Sequence, residues 1–400
     1  MQNNKSIISQ RASQISPSLT LSLSAKAASL KKQGLPVVSF TAGEPDFDTP
    51  EHIKDAAKLA LDKGLTKYTN NSGIAELKQA IIQKFKEENN LDYSADEIIV
   101  SCGGKHSLTN IFLATINAGD DVILPSPYWV SYEEQIKLAQ GKVVFTHLPE
   151  LKFSADVIAE KLTAKTKMIV LNSPSNPTGA VITKKELKRL ADLAIEKNIL
   201  ILSDEVYEHF VYENDDEHKS RSIASLGEEI KKLTITMNSF SKTYAMTGWR
   251  IGYCASEKKI AAAMDALQSH MTSNPTTFAQ YGAVAALTMK EKSSAFVNTM
   301  IKEFKKRREV MVNRLNECDG VECAMPSGAF YAFPDISNCK LNEKQLNGMK
   351  LSELLLEKEN VAVVPGIAFG DDNYVRLSYA TSMEQIGQGM ERIEKFCRGN

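Results

Sequence analysis

The chain has 400 residues, 43% of them hydrophobic and 24% charged, which are the fractions of a folded globular protein and exclude a disordered or fibrous chain. Its 48 lysines and arginines against 49 aspartates and glutamates leave a formal charge of -1. That balance excludes the basic footprint of a dedicated nucleic-acid binder and points to a small-molecule ligand.

The N-terminal stretch MQNNKSIISQ is polar where a signal peptide would have an apolar core, and no run approaches the ~18 apolar residues that span a bilayer. The six cysteines are scattered without metal-ligand spacing. A cytoplasmic protein with no membrane partner is the expectation. From about position 95 to 255, short apolar runs alternate with helical-period stretches, the pattern of a mainly parallel sheet covered by helices. Strands are predicted at 98–100, 122–124, 143–145, 168–171, 199–202, 233–237 and 251–254. Helices are predicted at 105–116, 132–140 and 184–198, the last capped by Thr183. A long helix follows over 302–317, with Lys305, Lys306, Arg307 and Arg308 on a solvated polar face. After Gly320 short strands mix with helices. The expected division is an N-terminal arm and part of a small domain at 1–45, a large domain at 46–290, and a C-terminal small α+β domain at 291–400.

In open α/β sheets ligands bind beyond the carboxyl ends of the strands, so the polar residues there carry the argument. After 98–100 come Gly103, Gly104 and Lys105, two glycines that open a helix and leave its first N–H groups to an anion; the same pair also makes a plain turn. After 168–171 the turn Asn172 to Gly179 presents Asn176. After 199–202 come Asp204 and Tyr207, an acid and a phenol three residues apart, where the acid serves equally well as a helix cap. The segment Ser239-Phe240-Ser241-Lys242, with Arg250 downstream, combines two hydroxyls, a lysine and an arginine near one strand end. Such a set can hold a phosphate and leave an amine free to form an imine with an aldehyde.

With these motifs in this order, from Gly43-Glu44-Pro45-Asp46-Phe47 to Val375-Arg376-Leu377-Ser378-Tyr379, the sequence resembles the fold-type I pyridoxal-phosphate aminotransferases, in particular the bacterial class I aspartate aminotransferase group. The resemblance implies an α/β fold with a large cofactor domain, a smaller domain built from both termini, pyridoxal 5'-phosphate as cofactor, and a homodimer with active sites at the subunit interface. Matched by motif, Lys242 resembles the lysine that bonds the cofactor and then moves the proton at the substrate α-carbon. Asp204 resembles the acid facing the ring nitrogen, Asn176 and Tyr207 the pair on the phenolic oxygen, and Trp129 the aromatic stacked on the ring. Gly103, Gly104, Lys105, Ser239 and Arg250 match the phosphate cup, and Tyr68 the tyrosine reaching it from the neighbouring subunit. Arg376 matches the clamp on the substrate α-carboxylate, helped by the backbone of Gly43.

The implied reaction is ping-pong transamination between amino acids and 2-oxo acids, with L-aspartate and 2-oxoglutarate as the expected pair. Aromatic amino acids, alanine or prephenate are the alternatives, and a lyase on the same fold a further one. A non-catalytic cofactor-binding module is the reading from another class. It fits poorly with a retained Lys242 and the lack of an appended helix-turn-helix. No arginine matches the one that takes a dicarboxylic side chain in the well-known branch. Lys105 is the cation nearest that role, and Ile15, Ser16, Ser18 and Thr20 are expected around the same end of the pocket.

Overall fold

The computed structural model describes residues 7–213 and 221–398. The start of the polar N-terminal stretch lies outside the described residues, as do the last two residues of the expected C-terminal domain. Seven strands form the central sheet: β1 (Ile98–Ser101), β2 (Asp121–Ser126), β3 (Lys142–His147), β4 (Thr166–Asn172), β5 (Leu200–Asp204), β6 (Thr234–Ser239) and β7 (Gly252–Ala255). Their spatial order is β1-β7-β6-β5-β4-β2-β3. Each coincides with an apolar run predicted from sequence. β7 alone runs antiparallel to both neighbours, so the other six strands share one direction and their carboxyl ends share one edge.

Apart from the edge strand β3, whose residues are mostly exposed or half-buried, the strands are buried on both faces, which is why they carry apolar runs. Alternate residues serve opposite layers. Val122, Leu124, Met168, Val170 and Leu202 pack with helices α4 (Gly104–Thr115), α5 (Ser131–Leu138) and α8 (Lys258–Met271). Ile123, Ile169, Leu171 and Ile201 pack with Leu187, Leu190, Ala191 and Ala194 of α6 (Lys184–Lys197). The Thr183 hydroxyl accepts from Glu186 N at 3.3 Å and caps α6 as expected.

Further helices are α1 (Leu19–Lys32), α2 (Glu51–Asp62), α3 (Ala75–Asn89), the single turn α7 (Phe240–Thr243) and α9 (Thr277–Thr288). Beyond them runs α10 (Lys290–Leu315), longer than the 302–317 stretch suggested. Its basic face corrects the sequence reading. Lys305 and Lys306 are exposed, whereas Arg307 and Arg308 are buried. Arg307 pairs with Asp46 at 2.7 Å and Glu303 at 3.1 Å, and Arg308 donates to Pro326 O at 2.6 Å and stacks over Tyr212. A buried guanidinium needs such partners, and helical periodicity carries no trace of Asp46, Pro326 or Tyr212 because they come from other segments.

After α10 a three-stranded antiparallel sheet forms, with β10 (Val375–Ser378) between β9 (Val364–Pro365) and β8 (Tyr331–Ala332). Val38–Ser39 pairs in parallel with Val361–Ala362, and Ser378 N donates to Phe40 O at 2.8 Å, so residues from both ends of the chain are joined. Helices α11 (Gly348–Glu359) and α12 (Met383–Arg398) complete this region.

Candidate active site

A cavity of about 610 Å³ lies at the carboxyl edge of the central sheet, closed on its far side by α1, the 39–44 segment, Tyr331 and Arg376. Every residue matched by motif to the site lines it except Gly103 and Tyr68. Gly103 sits behind the wall with φ +92°, and a Cβ there would run into the Arg250 guanidinium. Tyr68 lies outside the cavity and is 91% exposed. Of the arm residues, Ser18 and Thr20 line the cavity and Ile15 and Ser16 do not.

Lys242 stands on α7, the turn that leaves β6, and its amine donates to Gly43 O. Burial lowers its pKa to about 8; Glu44 opposes the shift while Arg376, Arg250 and Lys105 add to it. Asp204, at the end of β5, is 3% exposed. Its carboxylate accepts from Tyr132 OH at 2.6 Å and from Val206 N at 3.2 Å. Burial still pushes it up to about 6, against those two hydrogen bonds and the nearby Lys242. An acid held in that state ionises readily once a cationic N–H faces it.

Around Lys242, one end of the cavity collects anion-binding groups. Ser239 Oγ lies 2.9 Å from Ser241 Oγ, Arg250 donates to Thr247 O at 2.8 Å, and Gly104 and Lys105 open α4 with no side-chain cap on its first-turn N–H groups. Lys105 Nζ stands 5.0 Å from the Trp129 ring centroid, its pKa lowered by burial and by Arg250. Gly252 of β7 faces both Ser101 and Ser239 in register, and a Cβ on it would collide with the backbone of Gly104. Backbone thus packs on backbone behind the start of α4, while hydroxyls and cations line the cavity.

At the opposite end Arg376 is 3% exposed, donating to Asn176 Oδ1 and to Thr41 O, each at 3.0 Å. Its guanidinium lies 4.5 Å from the Tyr331 ring centroid and 4.9 Å from that of Phe369. Its Nε is buried with no partner among the described residues. A buried guanidinium with an unused donor is prepared for a carboxylate. Tyr207 OH and Tyr331 OH lie 2.8 Å apart, both phenols held above their ordinary pKa chiefly by burial. Ser24 and Ser39 hydroxyls flank Thr41 Oγ1 at 2.8 and 3.0 Å.

Sequence reasoning missed Tyr132, Tyr331, Thr41 and Ser24. Tyr132 falls just past the Pro127-Tyr128-Trp129 motif, and Tyr331 is a polar-tipped aromatic in the apolar run Ala329 to Phe333. Those contexts were the available signals. Among the described residues no helix is long and apolar enough to cross a membrane, and the six cysteines are free.

Comparison with known proteins agrees with this geometry. The family model for aminotransferase class I and II matches residues 36–393. The chain belongs to the class I and II aminotransferases. This aminotransferase is 48% identical to a probable aspartate/prephenate aminotransferase of Aquifex aeolicus over 97% of this chain and 98% of that one. It is 45% identical to an aspartate aminotransferase of Bacillus sp. strain YM-2, over 98% of this chain and all of that one. Among solved structures, the aspartate aminotransferase of Thermus thermophilus with maleate superposes with a TM-score of 0.93 at 42% identity, covering 98% of this chain and 100% of that one.

Proposed function

We propose that this aminotransferase uses pyridoxal 5'-phosphate to move the amino group of L-aspartate to 2-oxoglutarate, giving oxaloacetate and L-glutamate in two half-reactions. The observation that carries the reading is one cavity holding a buried amine with a lowered pKa, a buried acid, and a buried guanidinium with a free donor.

The residues present fit the cofactor. The cup of Gly104, Lys105, Ser239, Ser241 and Arg250 supplies donors and positive charge for a phosphate, with no room for a Cβ on Gly252. Asp204 would face the ring nitrogen, Trp129 the ring, Asn176 and Tyr207 the phenolic oxygen. When bound, pyridoxal phosphate supplies an electron sink for the bonds at the substrate α-carbon. The chain's own residues do the rest. Arg376 fixes the α-carboxylate, Lys242 takes and returns the α-proton, and Asp204 keeps a negative charge buried opposite a cationic ring nitrogen. Burial of Lys242, Asp204 and Arg376 strengthens each of these interactions.

Aspartate is favoured by the names of the relatives and by the Thermus structure with maleate, a dicarboxylate. In this reading Lys105, one of the cations lining the cavity, meets the second carboxylate. The Aquifex relative's name adds prephenate; here no cation stands among Ile15, Ser16, Ser18 and Thr20. The reading includes a homodimer in which Tyr68 completes the neighbour's phosphate site, the domain division at 45 and 290, and a cytoplasmic location. Half-reaction spectra with single amino acids test it. Aspartate alone should change the cofactor's visible absorption and release oxaloacetate. A response to alanine or phenylalanine but none to aspartate would overturn the substrate, and no response to any amino acid would overturn the reaction class.

A further inference from the structure

A network of buried polar groups lies directly behind the turn that carries Lys242, and none of its members lines the active-site cavity. Glu208 is its centre. Lys84 of α3 pairs with Glu208 Oε1, and Asn89 donates to Oε2 at 2.8 Å. Asn238 Nδ2 donates to the same Oε1. His209 stands 3.9 Å from Glu208, 3.2 Å from Glu88 and 3.3 Å from Thr243 Oγ1. Burial would raise the Glu208 carboxyl, but Lys84, His209 and the hydrogen bonds from Lys84 and Asn89 hold it down at about 2. The charge is therefore present throughout the physiological range. Glu88, Glu208 and His209 are close enough to suggest a metal site, yet the Lys84 ammonium already neutralises the carboxylates.

The consequence lies in Asn238. A side-chain amide can face either way, and its neighbours decide which end goes where. Glu208 accepts only, so the NH₂ of Asn238 must point at it and the oxygen must point the other way. That oxygen accepts the backbone N–H of Ser239 at 2.7 Å. Ser239 is the residue whose hydroxyl lines the phosphate end of the cavity and accepts Ser241 N at 3.2 Å. At the far end of the same turn, Thr243 follows Lys242 and touches His209. The network therefore brackets the segment 238–243 from behind.

We propose that Glu208 is a positioning residue for the cofactor site: by dictating the orientation of the Asn238 amide it fixes Ser239, and with it the phosphate cup and the base of Lys242. The role requires an acceptor at position 208 and not a charge. This rests on the cofactor reading above.

Two double variants separate the acceptor from the ion pair. Lys84→Met with Glu208→Gln keeps an acceptor for Asn238, and Lys84→Met with Glu208→Leu removes it. Both delete the buried charges together, which proteins tolerate far better than deleting one. Affinity for pyridoxal 5'-phosphate is measured by titrating cofactor-free protein, beside urea unfolding of each variant. The Gln pair should bind like the wild type. The Leu pair should bind about tenfold more weakly, roughly the 1.4 kcal/mol of one hydrogen bond, and the pH midpoint of the bound cofactor's absorption should move. Asn238→Ala, which keeps the Lys84–Glu208 pair, should give the same tenfold loss and stands in if the Leu pair fails to fold. Equal affinities for the Gln and Leu pairs, or wild-type affinity in Asn238→Ala, overturn the proposal. If the wild-type protein takes up no cofactor, the cofactor reading itself is what fails.

Discussion

The two ends of the active-site cavity are built in different ways. At the cofactor end, Gly104 and Lys105 follow β1, Asp204 closes β5, and Ser239 to Lys242 leave β6, so short contiguous motifs on parallel strands deliver the chemistry to one edge. At the substrate end, Thr41 and Ser24 come from the N-terminal side, Tyr331 and Arg376 from the C-terminal side, and Asn176 from between them. Arg376 and its acceptor Thr41 are 335 residues apart in sequence. The first end is held by the sheet, whereas the second exists only once both ends of the chain have packed. Chemistry fixed by a rigid frame and specificity assembled at a junction is the division this difference teaches.

The largest expected effect is at the cofactor end. Lys242→Ala should lower kcat by roughly ten-thousand-fold, because the proposal has one amine both bond the cofactor and move the proton. Cofactor binding should persist through the cup. Borohydride reduction of wild-type protein followed by peptide mapping should label Lys242 and no other residue; label elsewhere would break the assignment.

Arg376→Ala comes next and tests the substrate end. Removing one partner of a buried charged contact costs about 2–5 kcal/mol, so kcat/KM should fall at least thirtyfold. The loss should be similar for aspartate and alanine, since both carry the α-carboxylate. A loss confined to aspartate would move Arg376 to side-chain recognition.

Lys105→Ala sharpens the comparison, because the proposal gives Lys105 a part at both ends. It should cost aspartate about 1.5–3 kcal/mol in kcat/KM and alanine much less. Equal losses, or a matching fall in cofactor affinity, would assign Lys105 to the cup alone.

The smallest effect is a pH dependence. With the Lys242 amine lowered to about 8, some one molecule in ten carries the free amine at pH 7 and nine in ten at pH 9. Covalent capture of pyridoxal phosphate by cofactor-free protein should therefore speed up about tenfold across that interval and then level off. A rate still climbing at pH 10 would mean an ordinary lysine. The unfolded chain holds this proton up to about 10.5, so it binds more protons than the fold between 8 and 10.5, and this group's contribution to stability grows with pH across that window.

Legibility in the sequence divides along the same line. The strands could be read because a strand buried on both faces leaves an apolar run, and β3, at the sheet edge, still keeps its Val143-Val144-Phe145; the residues proposed for the cofactor end sit immediately after such runs. Tyr132 could not be assigned to Asp204, since the two are 72 positions apart and meet only when α5 packs on the sheet. Arg307 and Arg308 looked like solvated charges for the same reason: Asp46 and Pro326 reach them from other segments. The role proposed for Tyr68 rests on family resemblance alone, since it is 91% exposed and lies outside the cavity.

The backbone contact of Gly252 with Gly104 limits redesign. Side chains can be exchanged to alter a pocket, but main chain occupies the same volume whatever the sequence. Where Gly252 meets Gly104 there is no adjustable part, so the seat of α4 on β7 is set by the fold. Any lineage or laboratory seeking to seat a bulkier anion in the cup must work through Ser239, Ser241, Arg250 and Lys105. A library that randomises Gly252 would return chiefly clones that fail to assemble the sheet.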